Sequence, residues 1–159
     1  MKNNKSNWSQ NFLDIANSKN FLVKMPTTSQ FKRFVNFILI GKDTKGQPKE
    51  TKISLKPLKK NQNKMKWLWV EIKNSKGEPG WLYGDSDFVV FELTDKYLFV
   101  SRKNLLNLIH ESIDFNQPIV QNLWEAKYKI YQRPGKFDQI TQIKLNSLLK
   151  FNNNYIWEK

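Results

Sequence analysis

The chain has 159 residues, 39% hydrophobic and 14% aromatic, which supplies enough apolar surface for a packed core and argues against disorder. Its net charge of +13 calls for a polyanionic partner, and the lack of cysteine excludes disulfides and thiolate metal sites. The longest apolar run, residues 34–40, is far shorter than the roughly 18 residues of a membrane span. With polar residues at the N-terminus in place of a signal core, the expectation is a cytoplasmic chain with no membrane partner.

In chain order, residues 8–18 carry Trp8, Phe12, Leu13, Ile15 and Ala16 at approximate helical spacing. Residues 21–25 read as a short extended segment ended by Pro26, and residues 31–40, rich in aromatic and β-branched side chains, as a strand. The turn over residues 43–48 predicts a hairpin with a second strand over 50–58. A lysine- and asparagine-rich loop, 59–64, leads to a third strand over 66–74. Pro79-Gly80 breaks the chain before strands at 88–93 and 97–100. Ser101 then caps a helix with the apolar stripe Leu105, Leu106, Leu108 and Ile109. A final hairpin is expected from 127–131 and 139–143 around Arg133-Pro134-Gly135, then a short helix over 145–151. No internal repeat or linker is visible, so one α/β domain over 1–159 is expected.

The charge is one-sided. Residues 1–80 hold 17 Lys/Arg against 5 Asp/Glu, whereas residues 81–159 hold 10 against 9. Nine lysines fall between Lys42 and Lys66, where only Asp43 and Glu50 are acidic. Such a face fits nucleic acid, and DNA is favoured; a lysine-rich composition alone gives a solvated surface. The binding candidates are Lys42, Lys45, Lys49, Lys52, Lys59, Lys60, Lys64 and Lys66.

Strand alternation places the candidate chemistry. On the second strand Ile53 and Leu55 point one way, with Lys52, Ser54 and Lys56 opposite. On the third, Leu68, Val70 and Ile72 share one face, with Trp67, Trp69, Glu71 and Lys73 on the other. As neighbouring strands they are expected to present Ser54, Lys56, Glu71 and Lys73 to a common cleft. Glu71-x-Lys73 is the acid-x-lysine pair a divalent-metal nuclease uses, the carboxylate holding the ion and the lysine orienting water. On a solvated strand face the same pair is more often an ordinary surface pair. Trp67, Trp69, Trp81 and Tyr83 could stack on bases, although aromatics at strand spacing more often pack. Asp85 and Asp87 suit either metal ligation or a turn. His110, the only histidine, reads as a surface or packing residue.

Phe31-Lys32-Arg33-Phe34-Val35-Asn36-Phe37, Ser54-Leu55-Lys56-Pro57, Trp69-Val70-Glu71-Ile72-Lys73-Asn74 and Gly80-Trp81-Leu82-Tyr83-Gly84-Asp85 resemble, in order and spacing, small bacteriophage proteins of the PD-(D/E)xK nuclease superfamily. The segment from Tyr131 to Asp138 is similar to their basic turn and adds Arg133 and Lys136 to the binding candidates. The resemblance implies an α-β-β-β-α-β core with a central mixed sheet flanked by helices, Mg²⁺-dependent phosphodiester cleavage and a bacteriophage origin. It places an aspartate at Asn36 and an Asp-x-Lys at Ser54 to Lys56, of which only Lys56 matches. A hard divalent cation needs charged oxygen ligands, so Asn36 and Ser54 make the site degenerate. Two routes could keep catalysis beside Lys56: Glu71 with Lys73 as a shifted motif, or Asp14 reaching in from the first helix. The catalytic candidates are thus Lys56, Glu71 and Lys73, and the candidate metal ligands Glu71 and Asp14. Three readings follow: a DNA-binding module with lost or reduced catalysis, an active Mg²⁺-dependent endonuclease with an altered acidic set, and an effector whose basic face docks an acidic host protein.

Overall fold

A computed structural model describes residues 7–58 and 66–159. The protein is mixed α/β, with a six-stranded mixed sheet, a separate two-stranded sheet and few helices. These elements form two compact units. Among the described residues the first comprises 7–58, 85–99 and 155–159, and the second 66–84 and 100–154.

The first unit begins with α1 (Asn7–Ser18), the expected amphipathic helix. β1 (Leu22–Lys24) pairs antiparallel with β2 (Phe37–Lys42), and β2 with β3 (Pro48–Lys56), so the expected hairpin forms. The strand expected over 31–40 begins later, because Thr27 caps a short helix, α2 (Thr28–Lys32). Thr27 and Gln30 bond each other's backbone in a capping box, a local signal that overrides the aromatic, β-branched composition. Phe34 then takes a left-handed φ of 63° before the strand starts.

After β3 the chain passes through the second unit, where it forms β4 (Trp67–Lys73), and returns as β5 (Phe88–Glu92) parallel to β3. β6 (Lys96–Ser101) follows, and the sheet order closes as β1-β2-β3-β5-β6 and β8 (Tyr155–Glu158). β8 gave no alternation strong enough to be expected from sequence. It pairs antiparallel with β6 and sets Trp157 opposite Tyr97. One sheet face carries Phe37, Leu39, Ile53, Leu55, Val90, Tyr97, Phe99 and Trp157, which close with Phe12 and Ala16 of α1 into a core.

In the second unit β4 pairs antiparallel with β7 (Gln139–Lys144), with a register shift between Glu71 and Lys73. The expected adjacency of β3 and β4 is therefore overturned: they belong to different sheets. The partner expected for residues 139–143 was 127–131, which makes only isolated bridges, since Tyr128 has a left-handed φ of 55° that interrupts a ladder. Ser101 accepts from Asn104 N at 3.4 Å and caps α3 (Arg102–Ser112), which buries Leu105 and Ile109. α4 (Leu145–Leu149) follows β7.

Leu68, Val70 and Ile72 are buried, as the alternation requires, while Glu71 is half-buried and Lys73 exposed. Val70→Ala is expected to lower unfolding free energy by roughly 1–3 kcal/mol through the cavity it leaves, and Lys73→Ala to stay within about 0.5 kcal/mol. Urea denaturation of the two variants checks this; a larger loss for Lys73→Ala would mean β4 is turned over.

Candidate nucleic-acid interface

Asn36 and Ser54, the two positions where the resemblance implies carboxylates, come together in the first unit. Asn36 N donates to Ile53 O at 2.7 Å, and Asn36 Oδ1 accepts from Leu55 N at 2.8 Å. The amide thus continues the β2/β3 ladder by one side-chain rung. Ser54 lies between those two β3 residues, opposite Val89 of β5, and is fully buried, its Oγ without a hydrogen-bond partner among the described residues. Lys56 follows, half-buried and opposite Phe91. Strand pairing therefore assembles Asn36 and Ser54 as neighbours, with Lys56 on the same strand face as Ser54.

These residues do not fit Mg²⁺. Asn36 and Ser54 bring no anionic oxygen, and the Asn36 carbonyl oxygen already serves a backbone N–H. Asp14, expected as an alternative ligand, belongs to the exposed side of α1, two residues from each of the buried Phe12 and Ala16. It accepts from Gln10 Nε2 at 2.8 Å. Glu71 is held in the second unit, where its Oε1 accepts from Trp81 N at 3.3 Å at the start of a 3₁₀ turn, Trp81–Tyr83. Gly80 is obligatory there, since a Cβ at that residue would stand 2.7 Å from the Glu71 carbonyl oxygen. Glu71 and Lys73 share β4, but Asp14, Lys56 and Glu71 are not gathered on one sheet. Among the described residues no three of His, Asp and Glu group as metal ligands do.

The remaining acidic candidates have structural partners. Asp85 Oδ1 takes two bonds from the Arg33 guanidinium, at 3.0 and 3.2 Å. Asp87 Oδ2 accepts from Lys52 N at 2.8 Å while its own N–H reaches Lys52 O at 2.9 Å, tying the entry of β5 to β3. His110 Nε2 lies 3.0 Å from the Tyr83 hydroxyl and the ring stacks on Phe115; burial raises the Tyr83 pKa.

The basic residues divide. Lys42, Lys45 and Lys49 are exposed at the β2/β3 hairpin end and, among the described residues, form no ion pair. Their acidic neighbours are engaged: Asp43 Oδ1 accepts from Lys45 N and Gln47 N at 2.8 and 2.9 Å, and Glu50 pairs with Lys24 at 3.2 Å. Lys24, a cation of this region missed by the sequence reading, is thereby spent on Glu50. Lys52 is half-buried beside Ile38. Lys59, Lys60 and Lys64 lie outside the described residues. Lys66, Arg133 and Lys136 belong to the second unit and are exposed. Arg133 is committed to the buried Asp138 carboxylate by its guanidinium and its backbone N–H, which leaves Lys136 at the turn as the available charge.

Of the four aromatic candidates, Trp81 is buried, while Trp67, Trp69 and Tyr83 are half-buried. Comparison with known protein families, with curated proteins and with solved structures gave no match to this chain.

Proposed function

We propose that this chain is a nucleic-acid-binding protein, with DNA the favoured partner, on a sheet of the PD-(D/E)xK type whose metal-dependent catalysis is lost or reduced. It would act in the cytoplasm of a bacteriophage-infected host. The observation that carries the binding reading is the hairpin bearing Lys42, Lys45 and Lys49, exposed and, among the described residues, without ion pairs, while Asp43 caps backbone N–H groups of its own turn and Glu50 pairs with Lys24. Loss of catalysis is supported by the neutral Asn36–Ser54 pair, with the Asn36 amide tied into the ladder and Ser54 sealed from solvent. Phosphate binding needs only cations, so Mg²⁺ has no part in it.

Lysine–phosphate contacts release counterions, so log K for a mixed-sequence duplex should fall linearly with log salt, six contacts giving a slope of about −5. Changing Lys42, Lys45 and Lys49 together to alanine should flatten that slope by about three units, roughly one per lost contact, without sequence preference. Fluorescence anisotropy at several salt concentrations measures both slopes. A wild-type slope near zero would sink DNA binding and favour an acidic protein partner; an unchanged slope in the triple variant would remove the hairpin from the interface.

A further inference from the structure

The pairing of β4 with β7 builds a cluster in the second unit that neither strand reveals alone. Trp67 lies directly opposite Lys144, so the two side chains share one face of the two-stranded sheet. Lys144 Nζ stands 5.6 Å from the Trp67 ring centroid, and Lys127 Nζ stands 5.1 Å from it. Tyr128 meets the same indole edge-on, with ring centroids 5.7 Å apart. Tyr128 is itself fixed: its hydroxyl lies 2.8 Å from Ser147 Oγ and accepts from Lys144 N at 3.2 Å. Its left-handed φ of 55° is a conformation a bulky residue rarely adopts, held by these contacts.

Beside the indole opens a pocket of about 360 Å³ lined by Lys66, Trp67, Lys144, Leu145 and Asn146. That volume lies within the roughly 300–1,000 Å³ range of small-ligand sites and suits a single nucleotide. The lining carries two lysines and no carboxylate. Among the described residues Lys66, Lys127 and Lys144 form no ion pair. Trp69 lies two residues along the same face, about 6.7 Å further on at the rise of a strand. A half-buried indole, a second one in line and three cations without carboxylate partners match what an unpaired base and its flanking phosphates require.

We propose that this face binds single-stranded nucleic acid, one unpaired base stacking on Trp67 while Lys66, Lys127 and Lys144 take the adjacent phosphates. In the free protein the two lysines rest over the indole by cation–π attraction. A base arriving at that face releases them to a phosphate, so charge and stacking act in sequence. Bases in an intact duplex present no free ring face, so the site selects unpaired strands. The inference deepens the nucleic-acid reading and rests on it, but uses none of the hairpin lysines of the first unit.

The test uses the full chain with a labelled oligo(dT) and a duplex of the same length. Wild type should bind both. Trp67→Ala should weaken oligo(dT) binding by roughly 5- to 150-fold, the range for one lost base stack, and leave duplex binding within twofold. Trp67→Phe should restore most of the lost affinity. Lys127→Ala with Lys144→Ala should flatten the oligo(dT) salt dependence. An oligonucleotide carrying 5-iodouracil should photocrosslink to Trp67, read by peptide mass spectrometry on the wild-type protein, so the question stays answerable if Trp67→Ala fails to fold. Duplex binding without oligo(dT) binding, crosslinks only elsewhere, or equal affinities for wild type and Trp67→Ala would each overturn this site while leaving the hairpin reading intact. Binding to neither nucleic acid would defeat the nucleic-acid reading itself.

Discussion

Phe12→Ala should cost roughly 3–5 kcal/mol of stability, the usual range for removing a buried aromatic side chain. Phe12 is fully buried and touches four rings of the sheet face: Tyr97 edge-on at 5.3 Å, Trp157 stacked at 5.6 Å, Phe37 at 5.8 Å and Phe99 at 6.2 Å. Their ring contacts would be lost with it, and β2, β6 and β8 cannot collapse into the space while their hydrogen bonds hold. For a chain of this size the loss corresponds to a fall in Tm of about 6–20 °C. Phe31→Ala is the control, since Phe31 is 63% exposed and its loss should stay within about 0.5 kcal/mol. Calorimetry on both variants measures the difference, and equal Tm values would mean α1 does not dock on this sheet. The same core raises the Tyr97 pKa to about 12, first through burial and next through Glu92. A raised folded pKa means the proton is held more tightly in the native state. That contribution is complete below the ordinary tyrosine value of 10.0 and disappears as pH rises toward about 12, so wild-type stability should fall across that window.

Periodicity made most of this architecture legible. The stripe in α1, the β2/β3 hairpin, the alternation of β4 and the Ser101-capped α3 all follow from spacing and local chemistry, because each signal lies within a dozen residues. What sequence could not supply was pairing between distant segments. β4 and β3 both carry an apolar-polar alternation, and nothing in either strand says that β4 pairs with β7 while β3 runs parallel to β5. The expected single cleft containing Ser54, Lys56, Glu71 and Lys73 rested on that missing link. For the same reason Lys127 and Lys144 drew no attention, although Trp67 between them did. For Asp85 and Asp87 the sequence leaves metal ligation and a turn equally open, because the bonds to Arg33 and Lys52 depend on a return crossing of about thirty residues. That Asn36 and Ser54 stand side by side is likewise a matter of pairing, since the β2/β3 ladder extended by the Asn36 amide brings them together.

The Asn36–Ser54 pair permits a test of the proposed loss of a metal site. The double change Asn36→Asp with Ser54→Asp should produce a protein that is markedly unstable without divalent metal and is rescued by it. Position 54 is fully buried, so an ionised carboxylate there without a partner should cost roughly 3–5 kcal/mol. Burial would also raise the pKa of the introduced carboxyl, so the penalty is absent well below the ordinary carboxyl value of about 3.9, grows as pH rises from there toward the raised value, and is complete above it. The carboxylate at position 36 loses the match between the native amide and the Leu55 N–H only in charge, since a carboxylate oxygen also accepts that bond. Mg²⁺ bound between the two acids supplies the missing countercharge. At a concentration one hundred times Kd it would return about 2.7 kcal/mol through linkage, seen as a Tm rise of several degrees. Wild type, with neutral oxygens at both positions, should show no Mg²⁺-dependent rise. Plasmid cleavage need not return, because groups orienting the attacking water are a separate requirement. A Tm of the double variant indifferent to Mg²⁺ would mean that these positions do not converge on a cation. Wild-type cleavage in Mg²⁺ that disappears with Glu71→Gln or Lys73→Ala would show instead that the chemistry has moved to β4, and the DNA-binding reading would give way to an active nuclease.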